Sequence, residues 1–319
     1  MKIGIFDSGL GGLIIAKAIR KVMPEYDYVY LGDTKRVPYG NRSHEAIYEF
    51  TREAVDYLFK KEDCAIIIIA CNTASARALR RIQQEYLVEY NATRRLMGDY
   101  ERKILGVLIP AAEEAARYKR VGILGTLGTV NSNSFPNEIQ KINLEKKKKL
   151  EKNNYLSFFQ HTQHCISKPY SGSSAGCEKG ANTYFLDEIE NDTKVFQNSA
   201  PLLVPLIEEG EKVLAVQFIK KYLKTLQVKK LDALVLGCTH YPFYKKEIKK
   251  ILGSKIKVIS QDEIVPKKLK DYFVNYPEIE KKLSKNKKAK ILVTDITPNI
   301  KKLSQKWFGK NTELELIEF

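Results

Sequence analysis

The most restrictive stretch of this 319-residue chain is Ala65-Ile66-Ile67-Ile68-Ile69-Ala70, a run without a polar residue that stops at Cys71-Asn72-Thr73. Consecutive β-branched side chains favour a strand over a helix, and a strand with no polar face must be covered on both sides. Interior strands of parallel sheets, packed between layers of helices, meet that demand. Ala74 to Tyr86 then carries strong helix formers, so Cys71 is expected where a strand hands over to a helix.

The same order of elements recurs. Lys2 to Phe6 is an apolar run ending in Asp7-Ser8-Gly9-Leu10-Gly11-Gly12, followed by a helical spacing of Leu13, Ile14, Ala16, Ala18 and Ile19. Tyr28 to Leu31 predicts a strand before Gly32-Asp33-Thr34. Ser43 to Phe59 predicts an amphipathic helix whose capping box has Ala46 in place of the usual Glu. Alternating strands and helices predict an α/β fold with mainly parallel sheets.

The second half appears as a copy of the first. Val121 to Leu124 with Gly125-Thr126-Leu127-Gly128-Thr129 matches residues 3–12, and Leu231 to Leu236 with Gly237-Cys238-Thr239-His240 matches the strand that ends at Cys71. The second unit is longer, and the excess is assigned to an insertion at about 145–198, where a KKKK run and polar stretches show no sustained period. The expected organisation is therefore two lobes, residues 1–103 with 258–319 and residues 104–257. The Lys-rich segment 267–290 is expected to be exposed helix and loop.

Composition narrows the function classes. Hydrophobic residues at 44% and charged residues at 29% suit a folded globular protein. No apolar run approaches the roughly 20 residues of a membrane span, and Asp7 interrupts the N-terminal apolar stretch, so no signal peptide and a cytoplasmic location are expected. Five scattered cysteines without CxxC spacing suit a reducing compartment. The formal net charge is +16, and residues 220–302 hold 22 Lys against 8 acidic residues with no Arg. Lysine without arginine fits a solvated basic surface better than a nucleic-acid reader.

Cys71 and Cys238 carry the chemistry. Ligands of open α/β sheets bind at the carboxyl ends of strands, and helix N-termini stabilise thiolates and carboxylates. Two thiols facing one substrate, sharing a single proton, could take hydrogen from one face of a carbon and return it to the other. Asn72, Thr73, Thr239 and Ser8 offer short donors beside them, and Asp7 and His240 are suitable partners for proton handling near the first and second thiol. DSGLGG is neither a dinucleotide fingerprint nor a P-loop. A zinc site from His161, His164, Cys165 and Cys177 is a minor reading, because H-x-x-H-C lacks a second close pair.

FDSGLGG (6–12), YLGDTKRVPYG (30–40), ACNTASA (70–76) and GCTHYPF (237–243) together resemble glutamate racemase, of the cofactor-independent aspartate/glutamate racemase superfamily. VGILGTLGTVNS (121–132) and VPLIEEG (204–210) add weaker similarity. The resemblance implies two pseudo-symmetric α/β lobes with the active site in the cleft between them. It implies interconversion of L- and D-glutamate for peptidoglycan, without pyridoxal phosphate or metal, by a homodimer. It makes Cys71 and Cys238 the acid/base pair, assisted by Asp7, Glu208 and His240. Substrate contacts fall on Asp7, Ser8, Tyr39, Gly40, Asn72, Thr73, Thr239 and His240. Aspartate is the competing substrate, and contact of the Lys-rich third with DNA or DNA gyrase is a lesser reading. Departures from the family are the stretch 145–198, a longer 87–103, Ala200 before the VPL motif and Ile109-Pro110-Ala111.

Overall fold

A computed structural model of the chain describes residues 1–149 and 192–319. Ten strands form two sheets: β1 (Lys2–Asp7), β2 (Tyr28–Gly32), β3 (Cys64–Ile69), β4 (Lys103–Gly106), β5 (Arg120–Gly125), β6 (Lys194–Ser199), β7 (Ala233–Gly237), β8 (Lys257–Ile259), β9 (Ala289–Val293) and β10 (Glu315–Leu316). The first sheet runs β10-β9-β2-β1-β3-β4 and the second β6-β5-β7-β8. Every pairing is parallel.

The two sheets share one plan: β2-β1-β3-β4 in the first corresponds to β6-β5-β7-β8 in the second. In each, the chain leaves the central strand toward one side and returns on the other, which opens a crevice at the carboxyl ends of β1 and β3, and of β5 and β7. The duplication read from sequence is thus present as topology.

Burial explains the strand sequences. All six residues of β3 and all five of β7 are buried, as the unbroken apolar runs require. Gly4 in β1 leaves room for its neighbour: a Cβ there would lie 3.0 Å from Cys64 Sγ and 3.1 Å from Ile67 Cγ1. One apolar cluster runs from Ile3, Ile5 and Leu13 through Val265 and Leu269 to Leu234 and Leu236, so both sheets share a core on that side. Separate clusters cover the opposite face of each sheet.

Several local expectations change. The helix after β2 spans His44–Lys60, and Ser43 Oγ accepts from Ala46 N–H at 3.2 Å, so the cap forms without the reciprocal Glu. The single helix expected over 74–86 is divided into Asn72–Arg77, Leu79–Gln84 and Tyr86–Leu96, with breaks at Ala78 and Glu85. The expected insertion is shorter at its end, because Lys194–Ser199 is β6. Its sequence KVFQNS escapes the apolar test because it is a half-buried edge strand. At its start, helix continues over 134–149. The Lys-rich stretch is not all surface. Val265, Leu269 and Phe273 lie on one buried stripe of the helix Gln261–Asn275, while Lys267, Lys268 and Lys270 face out. Among the described residues, no helix is long and apolar enough to cross a membrane.

Ile67 tests the doubly covered strand. Ile67→Ala should cost about 2–5 kcal/mol of unfolding free energy, the range for emptying a fully buried aliphatic site. Denaturant titration reads it directly, and a loss below 1 kcal/mol would contradict the packing described.

Candidate active site

Loops from the carboxyl ends of both sheets enclose a cavity of about 260 Å³. From the first sheet come Ser8 and Gly9 after β1, Val37 to Asn41 after β2, and Cys71 to Thr73 after β3. The second supplies Thr126 and Leu127 after β5, Ala200, Pro201 and Glu208 after β6, and Cys238 to His240 after β7. Equivalent strand ends therefore deliver the two cysteines to one space, and each is only 5% exposed.

Cys71 caps the helix Asn72–Arg77. Its Sγ accepts from Ala74 N–H at 3.4 Å and its thiol donates to Ser8 Oγ at 3.3 Å. Burial and the nearby Asp7 charge push this thiol up to about 12, against the lowering effect of those hydrogen bonds. Asp7 is itself fully buried. Its Oδ2 accepts from Gly9 N–H at 3.1 Å, and Thr239 Oγ1 donates to Oδ1 at 3.5 Å. Burial raises the Asp7 carboxyl, opposed by the charge of His240 and by the N–H groups of Gly12 and Gly9.

The surroundings of Cys238 have the opposite polarity. His240 Nδ1 lies 3.9 Å from Cys238 Sγ, and His240 Nε2 pairs with Glu208 Oε1 at 2.9 Å. Burial works against an imidazolium, but the interactions with Cys238 and Glu208 outweigh it and hold His240 at about 10. Trp307 closes the outer side of the imidazole edge-on, with ring centroids 5.6 Å apart.

Cys71, Cys238, Ser8, Tyr39, Gly40, Asn72, Thr73, Thr239, His240 and Glu208 all line the cavity, and Asp7 stands immediately behind it. Two expected donors point elsewhere. Tyr39 hydroxyl donates to Asp33 Oδ2 at 2.6 Å, and the Asn72 carboxamide is paired with Gln261. Both would meet a ligand chiefly through their main chains. His161, His164, Cys165 and Cys177 lie outside the described residues, and among those described no cluster of three potential metal ligands occurs. Cys64, the third cysteine described, is sealed in the core under Gly4.

Against this geometry, relatives can be compared. No family model matches the chain. It is 34% identical to the glutamate racemase of Aquifex pyrophilus, aligned over 100% of this chain and 98% of that protein. It is 32% identical to the glutamate racemase of Aquifex aeolicus over 98% of this chain and 96% of that one. The chain belongs to the glutamate racemase family. Among solved structures, the glutamate racemase of Francisella tularensis in complex with D-glutamate has a TM-score of 0.73 at 26% identity, covering 99% of this chain and 97% of that chain.

Two features of this racemase-family chain, one lining the cavity and one behind it, were not singled out as site residues from sequence. Thr126 Oγ1 lies 2.9 Å from Thr73 Oγ1 and 3.0 Å from Thr129 Oγ1, a hydroxyl bridge between the sheets. Its signal was available, since Thr126 follows β5 as Asp7 ends β1. Gln261, behind Asn72, carried no such signal because it opens a helix whose other residues read as ordinary amphipathic surface.

Gly11 allows the loops after β1 and β7 to meet. A methyl group there would overlap the His240 ring and Thr239 Oγ1, and the buried imidazole has little room to retreat. Gly11→Ala should therefore destabilise the protein by about 1–3 kcal/mol, as overpacking does. Gly309→Ala, with open space around the added carbon, should stay within about 0.5 kcal/mol. Equal melting curves for the two variants would refute the close approach.

Proposed function

We propose that this chain is a glutamate racemase that interconverts L- and D-glutamate by proton transfer between Cys71 and Cys238, without a cofactor. The observation that carries the reading is that two cysteines, set on corresponding strand ends of two sheets, line one small cavity. A volume of about 260 Å³ suits an amino acid and leaves no space for a dinucleotide.

In this mechanism a thiolate on one side removes the α-hydrogen as a proton, and the electron pair stays on the substrate carbon. The opposite thiol then donates its proton to the other face and becomes the thiolate. No atom is gained or lost, and the resting protonation of the pair is exchanged. The carbanion is feebly stabilised by itself, so donors around the α-carboxylate must share its charge. Ser8, Thr73 and Thr239 hydroxyls and the main-chain N–H groups of Tyr39, Gly40, Asn72 and Thr73 are assigned that role.

The surroundings divide the work. Asp7 disfavours negative charge on Cys71, while His240, favoured as an imidazolium by Glu208, stands 3.9 Å from Cys238 Sγ. Asp7, His240 and Glu208 thus give the two thiols unlike surroundings. Closing the lobes, with β4 (Lys103–Gly106) kept whole in the first and β8 (Lys257–Ile259) kept whole in the second instead of being divided at 103 and 257, would exclude water from the transfer. We place the enzyme in the cytoplasm as a homodimer that supplies D-glutamate for peptidoglycan.

Purified protein, without added cofactor, should exchange the α-hydrogen of glutamate with solvent deuterium. Cys71→Ala and Cys238→Ala should each lower racemisation by at least about 10³-fold. Normal racemisation by both variants would sink the two-thiol assignment, and faster turnover of aspartate would overturn the substrate.

The raised His240 also predicts a pH signature. A folded value of about 10 against an ordinary 6.5 means that its stabilising effect is complete below about pH 6.5 and disappears as pH rises through 10. Melting temperatures of the parent protein and Glu208→Gln should differ most near pH 6 and converge by about pH 10–11. A gap that widened with rising pH would exclude a stabilised imidazolium.

A further inference from the structure

Gln261 is the first residue of the helix Gln261–Asn275, which follows β8 of the second sheet, yet its side chain ends on Asn72, the residue after Cys71 beyond β3 of the first. It is 1% exposed and Asn72 is 2% exposed. Asn72 Nδ2 donates to Gln261 Oε1 at 2.7 Å, and Gln261 Nε2 donates to Asn72 Oδ1 at 2.6 Å and to the Val107 carbonyl at 3.3 Å. Two carboxamides thus satisfy each other face to face, away from water, across 189 residues of chain.

A side-chain pair of this kind has a geometric consequence. Asn72 directly follows Cys71 and begins the helix whose Ala74 N–H donates to Cys71 Sγ at 3.4 Å. Holding Asn72 by its carboxamide holds the first turn of that helix, and with it the capping sulfur. The Val107 carbonyl, just past β4, ties the same glutamine to the next strand end. Removing the pair would leave buried amide groups of Asn72 without partners, a situation that moves a short helix start more readily than it breaks the core.

We propose that Gln261, at the start of the helix that follows β8, is a positioning residue that holds Cys71 in register with the substrate α-carbon. Gln261 does not touch the cavity and moves no proton. Its effect falls on one of the two sulfurs, because its hydrogen bonds end on Asn72 and Val107 and not on the loop that carries Cys238. The inference rests on the two-thiol reading given above, and it adds an asymmetry that the reading does not contain. Loss of Gln261 should make transfer at Cys71 slower than transfer at Cys238.

The test compares the parent protein with Gln261→Met, which keeps the volume without the hydrogen bonds, and Gln261→Glu, which keeps the shape and one acceptor. Gln261→Glu carries the test if Gln261→Met does not fold. Racemisation of α-deuterated L- and D-glutamate is followed separately from each enantiomer. The expected result is a kcat lowered about tenfold to a hundredfold, since small misplacements of reacting groups cost this much, with KM within about twofold. The primary isotope effect should rise for the enantiomer deprotonated by Cys71 and fall for the other. A merely structural glutamine would lower the folded fraction and leave both isotope effects unchanged, and that outcome overturns the proposal. The Cys71→Ala and Cys238→Ala assays separate the two failures: full activity there sinks the mechanism, whereas inactive cysteine variants with symmetric isotope effects in the Gln261 variants sink only the role of Gln261.

Discussion

The contact between the loop after β1 and the loop after β7 is the constraint on which the site depends. Gly11 lies against the His240 ring, and Thr239 Oγ1 reaches the Asp7 carboxylate, so the two sheets meet with their strand ends pointing at one another. Each loop alone would be an ordinary turn at the end of a parallel strand. Pressed together, they bury Asp7 and His240 as an opposed pair of charges and leave a small cavity beside them. The absence of a side chain at one position sets how close these charges come.

That approach makes the two halves of the cavity electrically unlike despite their shared topology. The first sheet places a carboxylate behind its cysteine, and the second places an imidazole held by Glu208 beside its own. Duplicated strands supply the symmetry of position, while the residues that follow them supply the asymmetry of charge.

Much of this was readable along the chain. AIIIIA and its counterpart Leu231 to Leu236 announced covered parallel strands, because only β-branched and aliphatic side chains suit a strand with no wet face. The terminal positions of those strands pointed to Cys71 and Cys238 for the same reason. KVFQNS did not announce β6, since an edge strand half in water has no need for an unbroken apolar run. The breaks at Ala78 and Glu85 were equally silent, because good helix formers do not record where packing against a neighbour interrupts a helix. Lysine content marked the segment 267–290 as exposed, and the buried Val265, Leu269 and Phe273 show the face that the lysines obscured.

The amino-acid sequence by itself determined the class of fold, the repeat and the placing of two cysteines at strand ends, because periodicity, β-branching and glycine punctuation act over a few residues and need no distant partner. Tertiary structure alone decided which donors face the cavity. Tyr39 turns its hydroxyl to Asp33 within the same loop, and Asn72 gives its carboxamide to Gln261 from far along the chain, pairings that no periodicity records. It alone also paired His240 with Glu208 and placed Asp7 behind Cys71. Burial strengthens these charge interactions, and because they join residues from separate loops no local pattern encodes them.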